Sequence, residues 1–253
     1  MPDYARSFGD IVNRLSNRLI RRFGSRPRTV GAGARLISFT FDDVPQSALD
    51  AGAAVLEKYG VRGTFYVAGG LLGKAETNRP VITLQGCREL ARRGHEIGCH
   101  TFAHKPLRRL WGRRLDRDLD RNAACLRQAT GLDAPENFAF PFNAAWPLAR
   151  PVLRRRFRSC RAAGRGVNRG AVDPMMLRSV AIERSDEEAR GLTRTIDDVA
   201  ANAGWLIFFC HDVSDSPTPY GSTPETFELL VRHAVESGCE VVTVSHALDR
   251  LGW

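Results

Sequence analysis

Apolar positions in this chain fall into two kinds of block that alternate from about residue 35 onward. Short apolar runs at Leu36–Phe41, Thr64–Val67, Glu96–His100, Phe138–Phe142, Phe157–Ala162, Leu177–Ile182, Trp205–Cys210 and Glu240–Val244 predict buried strands. Between them lie stretches with helical spacing. Ala48–Tyr59 turns Leu49, Ala53 and Leu56 inward and stops at Gly60; Leu84–Arg93 stops at Gly94 and Leu115–Thr130 at Gly131. Leu148–Arg156, Asp186–Ala203 and Pro224–Ser237 complete the series, with Pro224 in a first turn and Gly238 as the stop. Repeated strand–helix units with apolar strands predict an α/β fold, a parallel (β/α) barrel of about seven strands. The competing arrangement is an open doubly wound sheet, but the first strand–helix loop lacks the glycine fingerprint of a dinucleotide site. There is no internal repeat and no sign of a second domain.

Ahead of this pattern, residues 7–23 place Phe8, Ile11, Val12, Leu15, Leu19 and Phe23 on one helical face, with Arg14, Arg18, Arg21 and Arg22 largely off it. Ser7 with Asp10 makes a capping start, and Gly24, Pro27, Gly31 and Gly33 form a linker. The expected division is a basic amphipathic arm over 1–34 and the main domain over 35–253. The arm has two expected fates: packing its stripe on the barrel, or lying on an anionic membrane surface.

Length and composition narrow the class. A chain of 253 residues with 43% hydrophobic content suits one large α/β domain. No apolar run approaches a membrane span, and the N-terminus lacks the apolar core of a secretory signal. The expected location is therefore the cytoplasm, at most peripheral to the inner face of the membrane. The six cysteines are scattered without a C-x-x-C pair and are expected to be reduced. The net charge of +9 is uneven. Residues 1–35 hold eight arginines against two acids, and eight more arginines lie between Asn137 and Val172 with no acid. Genomic base composition explains part of this excess; attraction to an anionic partner is the functional alternative. A nucleic-acid partner is not expected, because the charge concentrates in the N-terminal arm rather than among exposed aromatics.

The candidate chemistry sits at C-terminal strand ends, which converge on one face of a β/α barrel. Asp42 and Asp43 end the first run, His100 the third with His104 just beyond, and His211 follows Trp205–Cys210. Two imidazoles and a carboxylate suffice for a divalent metal, and the second carboxylate is left over as a base. Adjacent aspartates share a site only if the strand turns there, and Val44-Pro45 marks such a turn. Each residue has a plainer reading: Asp43 as a helix cap, the H-x-x-x-H pair as unrelated histidines, His211 as a core-edge histidine. His95, His233 and His246 fit no constellation.

Thr40-Phe41-Asp42-Asp43, Gly63-Thr64-Phe65-Tyr66-Val67 and Gly94-His95-Glu96-Ile97-Gly98-Cys99-His100-Thr101-Phe102-Ala103-His104, in that order, strongly resemble the polysaccharide deacetylase family, which includes chitooligosaccharide deacetylases of nodulation-factor synthesis. The resemblance runs from about residue 35 to about 247. It implies a distorted β/α barrel with fewer closed strands than eight. It makes Asp42 the general base and Asp43, His100 and His104 the ligands of a divalent metal, typically zinc, with cobalt, nickel or iron as alternatives. It aligns Phe140-Pro141-Phe142 with a groove-wall motif in which Phe142 offers its backbone N–H to the oxyanion. Phe209-Cys210-His211 matches an L-x-H element, with Phe209 in place of leucine and His211 as the acid.

Three departures accompany it. Ala139 stands where the groove-wall motif begins with arginine, and Arg161 or Arg178 is the candidate replacement. Val44 replaces a glycine. Asp173 is only a weak match to the aspartate that tunes the catalytic histidine.

The expected function is metal-dependent hydrolysis of an N-acetyl or other small N-acyl group on an amino sugar, in a polysaccharide, an oligosaccharide or a lipid- or phosphate-linked precursor. The alternative suggested by Ala139 is a catalytically weak carbohydrate-binding relative. A non-heme iron oxygenase shares the two-histidine, one-carboxylate set but leaves Asp42 unexplained.

Overall fold

The computed structural model describes residues 8–22, 24–76, 79–164, 166–182 and 186–253. Its strands are β1 (Arg28–Val30), β2 (Arg35–Asp42), β3 (Thr64–Val67), β4 (Ala75–Glu76), β5 (Arg79–Pro80), β6 (Glu96–Cys99), β7 (Asn137–Ala139), β8 (Ser159–Ala163), β9 (Gly170–Val172), β10 (Leu177–Ala181), β11 (Gly204–Cys210) and β12 (Glu240–Val241). Its α-helices are α1 (Phe8–Arg22), α2 (Ala54–Lys58), α3 (Leu84–Arg92), α4 (Arg113–Thr130), α5 (Arg150–Arg156), α6 (Asp186–Asn202), α7 (Pro224–Glu236) and α8 (Val244–Arg250).

Seven parallel strands close a ring in the order β2-β3-β6-β7-β8-β10-β11, and β11 returns to β2 over seven residue pairs from Gly204↔Arg35 to Cys210↔Phe41. The seven-stranded barrel expected from the pattern is thus the observed architecture. Period-two alternation sorts β2 between two environments. Ile37, Phe39 and Phe41 share a core with Leu56 of α2 and Phe227 and Leu230 of α7. The alternate residues Ser38, Thr40 and Asp42 turn inward, where Ser38 Oγ accepts a hydrogen bond from Trp205 Nε1 at 3.0 Å. That parity delivers Asp42 to the barrel mouth.

Three expectations about the chain's ends need correction. The segment read as a linker contains β1, which pairs antiparallel with β9. The last strand stops at Val241, where it lies against Leu36 and Ile37 of β2. Residues 244–250, read as part strand and part tail, form α8, whose Val244, Ala247 and Leu248 pack with Leu36, Trp205 and Ile207. Thr243 caps it by accepting from His246 N. The expected helix over 48–59 begins as a π-helical turn at Ala48–Ala53 and becomes α-helical only at Ala54.

A helix is present at Phe8–Arg22, and two residues of the expected stripe, Leu15 and Leu19, do not pack on the barrel. Ile20 joins a core with Ala145, Ala149 and Val152. Ser16 Oγ donates to Ala145 O at 2.5 Å, Asn17 Nδ2 donates to Asn143 O at 2.7 Å, and Asn17 Oδ1 accepts from Ala145 N at 3.0 Å. Leu15 and Leu19 are 55% and 48% exposed. The side chains of Phe8, Ile11 and Phe23 lie outside the described residues. Directed bonds to backbone groups of the 143–145 loop orient the helix, and the leucines face away from them.

All six cysteines are free, and five are buried. No helix of the described residues is long and apolar enough to cross a membrane.

Candidate active site

The loops at the C-terminal ends of β2, β6, β7 and β11 meet over a cavity of about 690 Å³ lined by Asp42, Asp43, His100, His104, Phe142, Phe209 and His211 among others. Of the residues expected as base, acid, metal ligands or groove wall, Pro141 alone is buried without lining this cavity. His95 lies elsewhere, bound to Glu57 at 2.8 Å.

Asp42 and Asp43 reach one space because the chain reverses between them. Val44 N donates to Asp42 O at 2.6 Å, and Asp43 and Val44 take left-handed φ of 60° and 55°. Asp43 is not a helix cap. Among described non-glycine residues, positive φ occurs at Asp43, Val44, Thr101, His104, Phe142, Asn143 and Ala203. All but Ala203 belong to the loops around the cavity. Such conformations cost about 1–3 kcal/mol each and persist where surrounding contacts impose them. Val44, where the family has glycine, is a fully buried β-branched residue in this region, which is unusual for its type.

Helix α4 imposes the conformation of the histidine loop. Asp118 accepts from Phe102 N at 2.7 Å and from Ala103 N at 3.1 Å, and Asn122 Oδ1 accepts from Gly69 N at 2.7 Å. The sequence reading missed this pair. Its signal was an acid and an amide on the same face as Leu115, Leu119 and Leu126, which is otherwise apolar.

His100 Nε2 and His104 Nε2 lie 3.5 and 2.9 Å from Asp43 Oδ1. The three residues each offer a ligand atom within 4.8 Å of the others. Asp43 Oδ1 is buried, and its approach to His104 does not meet hydrogen-bond geometry. An orphaned buried carboxylate oxygen between two imidazoles fits a cation. His100 Nδ1–H donates to Ala139 O at 2.9 Å, which leaves Nε2 unprotonated toward the cavity. Burial pushes His100 down to about 4, so its ring is neutral and ready to ligate at neutral pH. Burial acts to raise Asp43, but His104, His100 and His211 outweigh it and hold the carboxyl below its ordinary range.

Arg161 answers the absence of arginine at Ala139. Its Nη2 donates to both oxygens of Asp42 at 2.5 Å, and both residues are buried. Ala139 and Arg161 are register partners on β7 and β8, so the guanidinium comes from the neighbouring strand at the same level. It is held by Ser179 Oγ at 2.9 Å and lies 5.3 and 5.1 Å from the rings of Tyr66 and Phe209. Tyr66 occupies its place because residue 98 is glycine; a Cβ there would sit 2.4 Å from the Tyr66 ring. Arg178 is exposed.

His211 Nε2 lies 3.6 Å from Asp43 Oδ2, and its buried Nδ1 has no hydrogen-bond partner among the described residues. Asp173 does not supply one. It pairs with Arg150 at 2.6 Å and caps the turn at Pro174–Met176. The loop beyond His211 is braced instead by Asp212, which accepts from Thr218 N at 3.0 Å and pairs with Arg79 at 3.4 Å. It carries Tyr220, whose ring is 5.6 Å from that of His211. The Phe142 ring lies tilted against that of His104, centroids 4.6 Å apart, and is 57% exposed.

A family profile described as polysaccharide deacetylase matches residues 29–155, about half of the chain and the part that carries Asp42, Asp43, His100 and His104. The chain belongs to the polysaccharide deacetylase family. A bifunctional xylanase/deacetylase from Pseudobutyrivibrio xylanivorans is 26% identical over 110 residues, which span 44% of this chain and 17% of that relative. Among solved structures, a Mycobacterium smegmatis protein named as a polysaccharide deacetylase aligns with TM-score 0.63 at 15% identity, covering 90% of this chain and 95% of that one. A family 4 acetyl xylan esterase from Clostridium thermocellum, in complex with a cobalt ion, aligns with TM-score 0.56 at 21% identity, covering 86% and 92%. A peptidoglycan deacetylase from Bacillus subtilis aligns with TM-score 0.53 at 19% identity, covering 88% and 94%. At these identities the structural likeness establishes the fold.

Proposed function

We propose that this polysaccharide deacetylase hydrolyses the N-acetyl, or another small N-acyl, group of an amino sugar with the help of a divalent metal. The observation that carries the reading is the Asp43, His100 and His104 cluster beside a separately held Asp42. Two imidazole nitrogens and one carboxylate suit a catalytic zinc site with open positions, so zinc is the proposed ion. When bound, such an ion polarises an acyl carbonyl and brings the pKa of bound water to about 7.

The chain's own groups supply the rest. Asp42, oriented by Arg161, takes a proton from the attacking water. The backbone N–H of Phe142 is the proposed donor to the carbonyl oxygen as charge develops there. His211 gives a proton to the departing nitrogen. Phe142, Phe209 and Tyr220 offer ring faces to a sugar. The catalytically weak alternative rested on Ala139, and the Arg161–Asp42 pair supports the active reading over it.

The test is acetate release by the zinc-loaded protein from N-acetylated oligosaccharides, peptidoglycan fragments and O-acetylated xylan. Activity on an N-acetyl substrate that a chelator abolishes is the expected result; release from none of them would overturn the reading. His211→Ala is expected to lower kcat on a sugar amide by about 10²-fold, with less effect on an activated amide that needs little proton donation. An unchanged rate on the sugar amide would return His211 to a structural role.

We also infer a peripheral membrane contact through α1, supported by the exposed Leu15 and Leu19 with exposed Arg18 between them. Basic residues near an anionic bilayer contribute about 1 kcal/mol each. The protein should co-sediment with phosphatidylserine vesicles at low salt and be released by Leu15→Ser with Leu19→Ser. No sedimentation at low salt would remove this reading.

A further inference from the structure

One part of the cavity lining has a use that the deacetylase reading leaves open. The turn Leu107–Arg109 follows His104 directly, and Arg108, Arg109 and Asn13 of α1 all line the cavity. Its acidic groups, among the described residues, are Asp42 and Asp43 alone. Asp42 is answered by Arg161, and Asp43 lies among three imidazoles. Neither faces the arginine turn with charge to spare.

Arg108 is half-buried and donates to Asn13 Oδ1, a neutral partner. Arg109 is exposed and makes no ion pair with a described residue. Two adjacent guanidiniums open onto one cavity, and no carboxylate among the described residues pairs with them. Guanidiniums form forked bonds to phosphate oxygens, and two of them suit a phosphate's charge better than a single carboxylate does.

We propose that Arg108 and Arg109 bind a phosphate carried by the amino sugar, making this a deacetylase of phosphorylated or phosphate-linked sugars, with Asn13 setting the position of Arg108. The substrate class rests on the deacetylase reading; the phosphate site does not. Helix α1 is thereby part of the substrate pocket through Asn13.

The experiment compares kcat/KM of the full-length zinc-loaded protein for N-acetylglucosamine 1-phosphate and for neutral methyl N-acetylglucosaminide. Preference for the phosphate by at least about tenfold at low salt, falling as salt rises, is expected. Arg109→Gln should reduce that ratio, Arg108→Gln with Arg109→Gln should abolish it, and Arg109→Lys should restore part of it. A merely structural defect would lower both substrates together and leave the ratio in place.

A long-chain alkyl phosphodiester of the same sugar in micelles separates sources. Faster turnover than the soluble 1-phosphate marks a lipid carrier; slower turnover marks a soluble one. A glucuronate-containing disaccharide preferred over both would overturn the phosphate assignment, as would an equal ratio in native and doubly substituted protein. Calorimetry with N-acetylglucosamine 1-phosphate is independent of turnover. Affinity weakened about tenfold by the double substitution supports the phosphate site even if no acetate is released, whereas acetate release with unaltered affinity removes the phosphate site alone.

Discussion

Asparagine in place of Asp42 is expected to lower kcat by about 10²-fold or more while leaving about one metal ion per chain, the scale of a lost general base. Asparagine in place of Asp43 is expected to lose the metal itself, as is His104→Ala. The difference follows from where the two carboxylates point. Asp43 lies between two imidazole nitrogens and has an orphaned oxygen. Asp42 has both oxygens occupied by Arg161. Removing a ligand carboxylate subtracts a donor from a set of three, whereas removing the base subtracts only a proton acceptor. Metal analysis and steady-state rates on the same preparations separate the two. Loss of metal in Asp42→Asn with retention in Asp43→Asn would reverse the assignment.

The strands and the gathering of Asp43, His100 and His104 were legible because each depends on short-range pattern. Apolar runs bounded by glycine report burial, and the histidines and aspartates stand at the ends of such runs, where a barrel gathers them. What stayed hidden depends on partners far apart in sequence. Helix α1 shows the limit of periodicity. Leu15 and Leu19 belong to a convincing apolar face yet are exposed, while Asn13, Ser16, Asn17 and Ile20 meet the rest of the fold. The bonds that decide this go to backbone groups of residues 143 and 145, which have no signature in the side-chain pattern. Asp118 was hidden for the same reason, since its partners are the N–H groups of Phe102 and Ala103. Helix α8 was lost because its apolar residues, including Val244, directly follow a two-residue strand and read as its continuation.

Arginine at residue 139 is expected to rescue a protein that has lost Arg161. The sequence pointed to a missing guanidinium at Ala139 and could name candidates only by proximity to later strand ends. The register resolves the choice. Residues 139 and 161 are opposite one another on β7 and β8, about 4.8 Å apart in the hydrogen-bonding direction. A long side chain from either can approach Asp42.

Arg161→Ala alone leaves Asp42 buried without its cation. Breaking a buried pair in this way costs roughly 3–5 kcal/mol of stability, and with the carboxylate no longer oriented, kcat should fall by about 10²-fold. Ala139→Arg alone should also destabilise the protein, because residue 139 is fully buried and would bring a second guanidinium against the first. Combined, the two substitutions restore one cation to one carboxylate. Melting temperature and kcat should both recover most of the loss, with kcat within about tenfold of the native value. The bond from His100 Nδ1 goes to the backbone carbonyl of residue 139 and should survive the exchange, so the metal content should not change. Arg161→Lys should recover less, since a lysine cannot hold Asp42 and Ser179 from separate nitrogens as the guanidinium does. Native activity in Arg161→Ala would show that Asp42 needs no cation. A folded, metal-loaded double variant no better than Arg161→Ala would show that the strand of origin matters and that the two positions are not interchangeable.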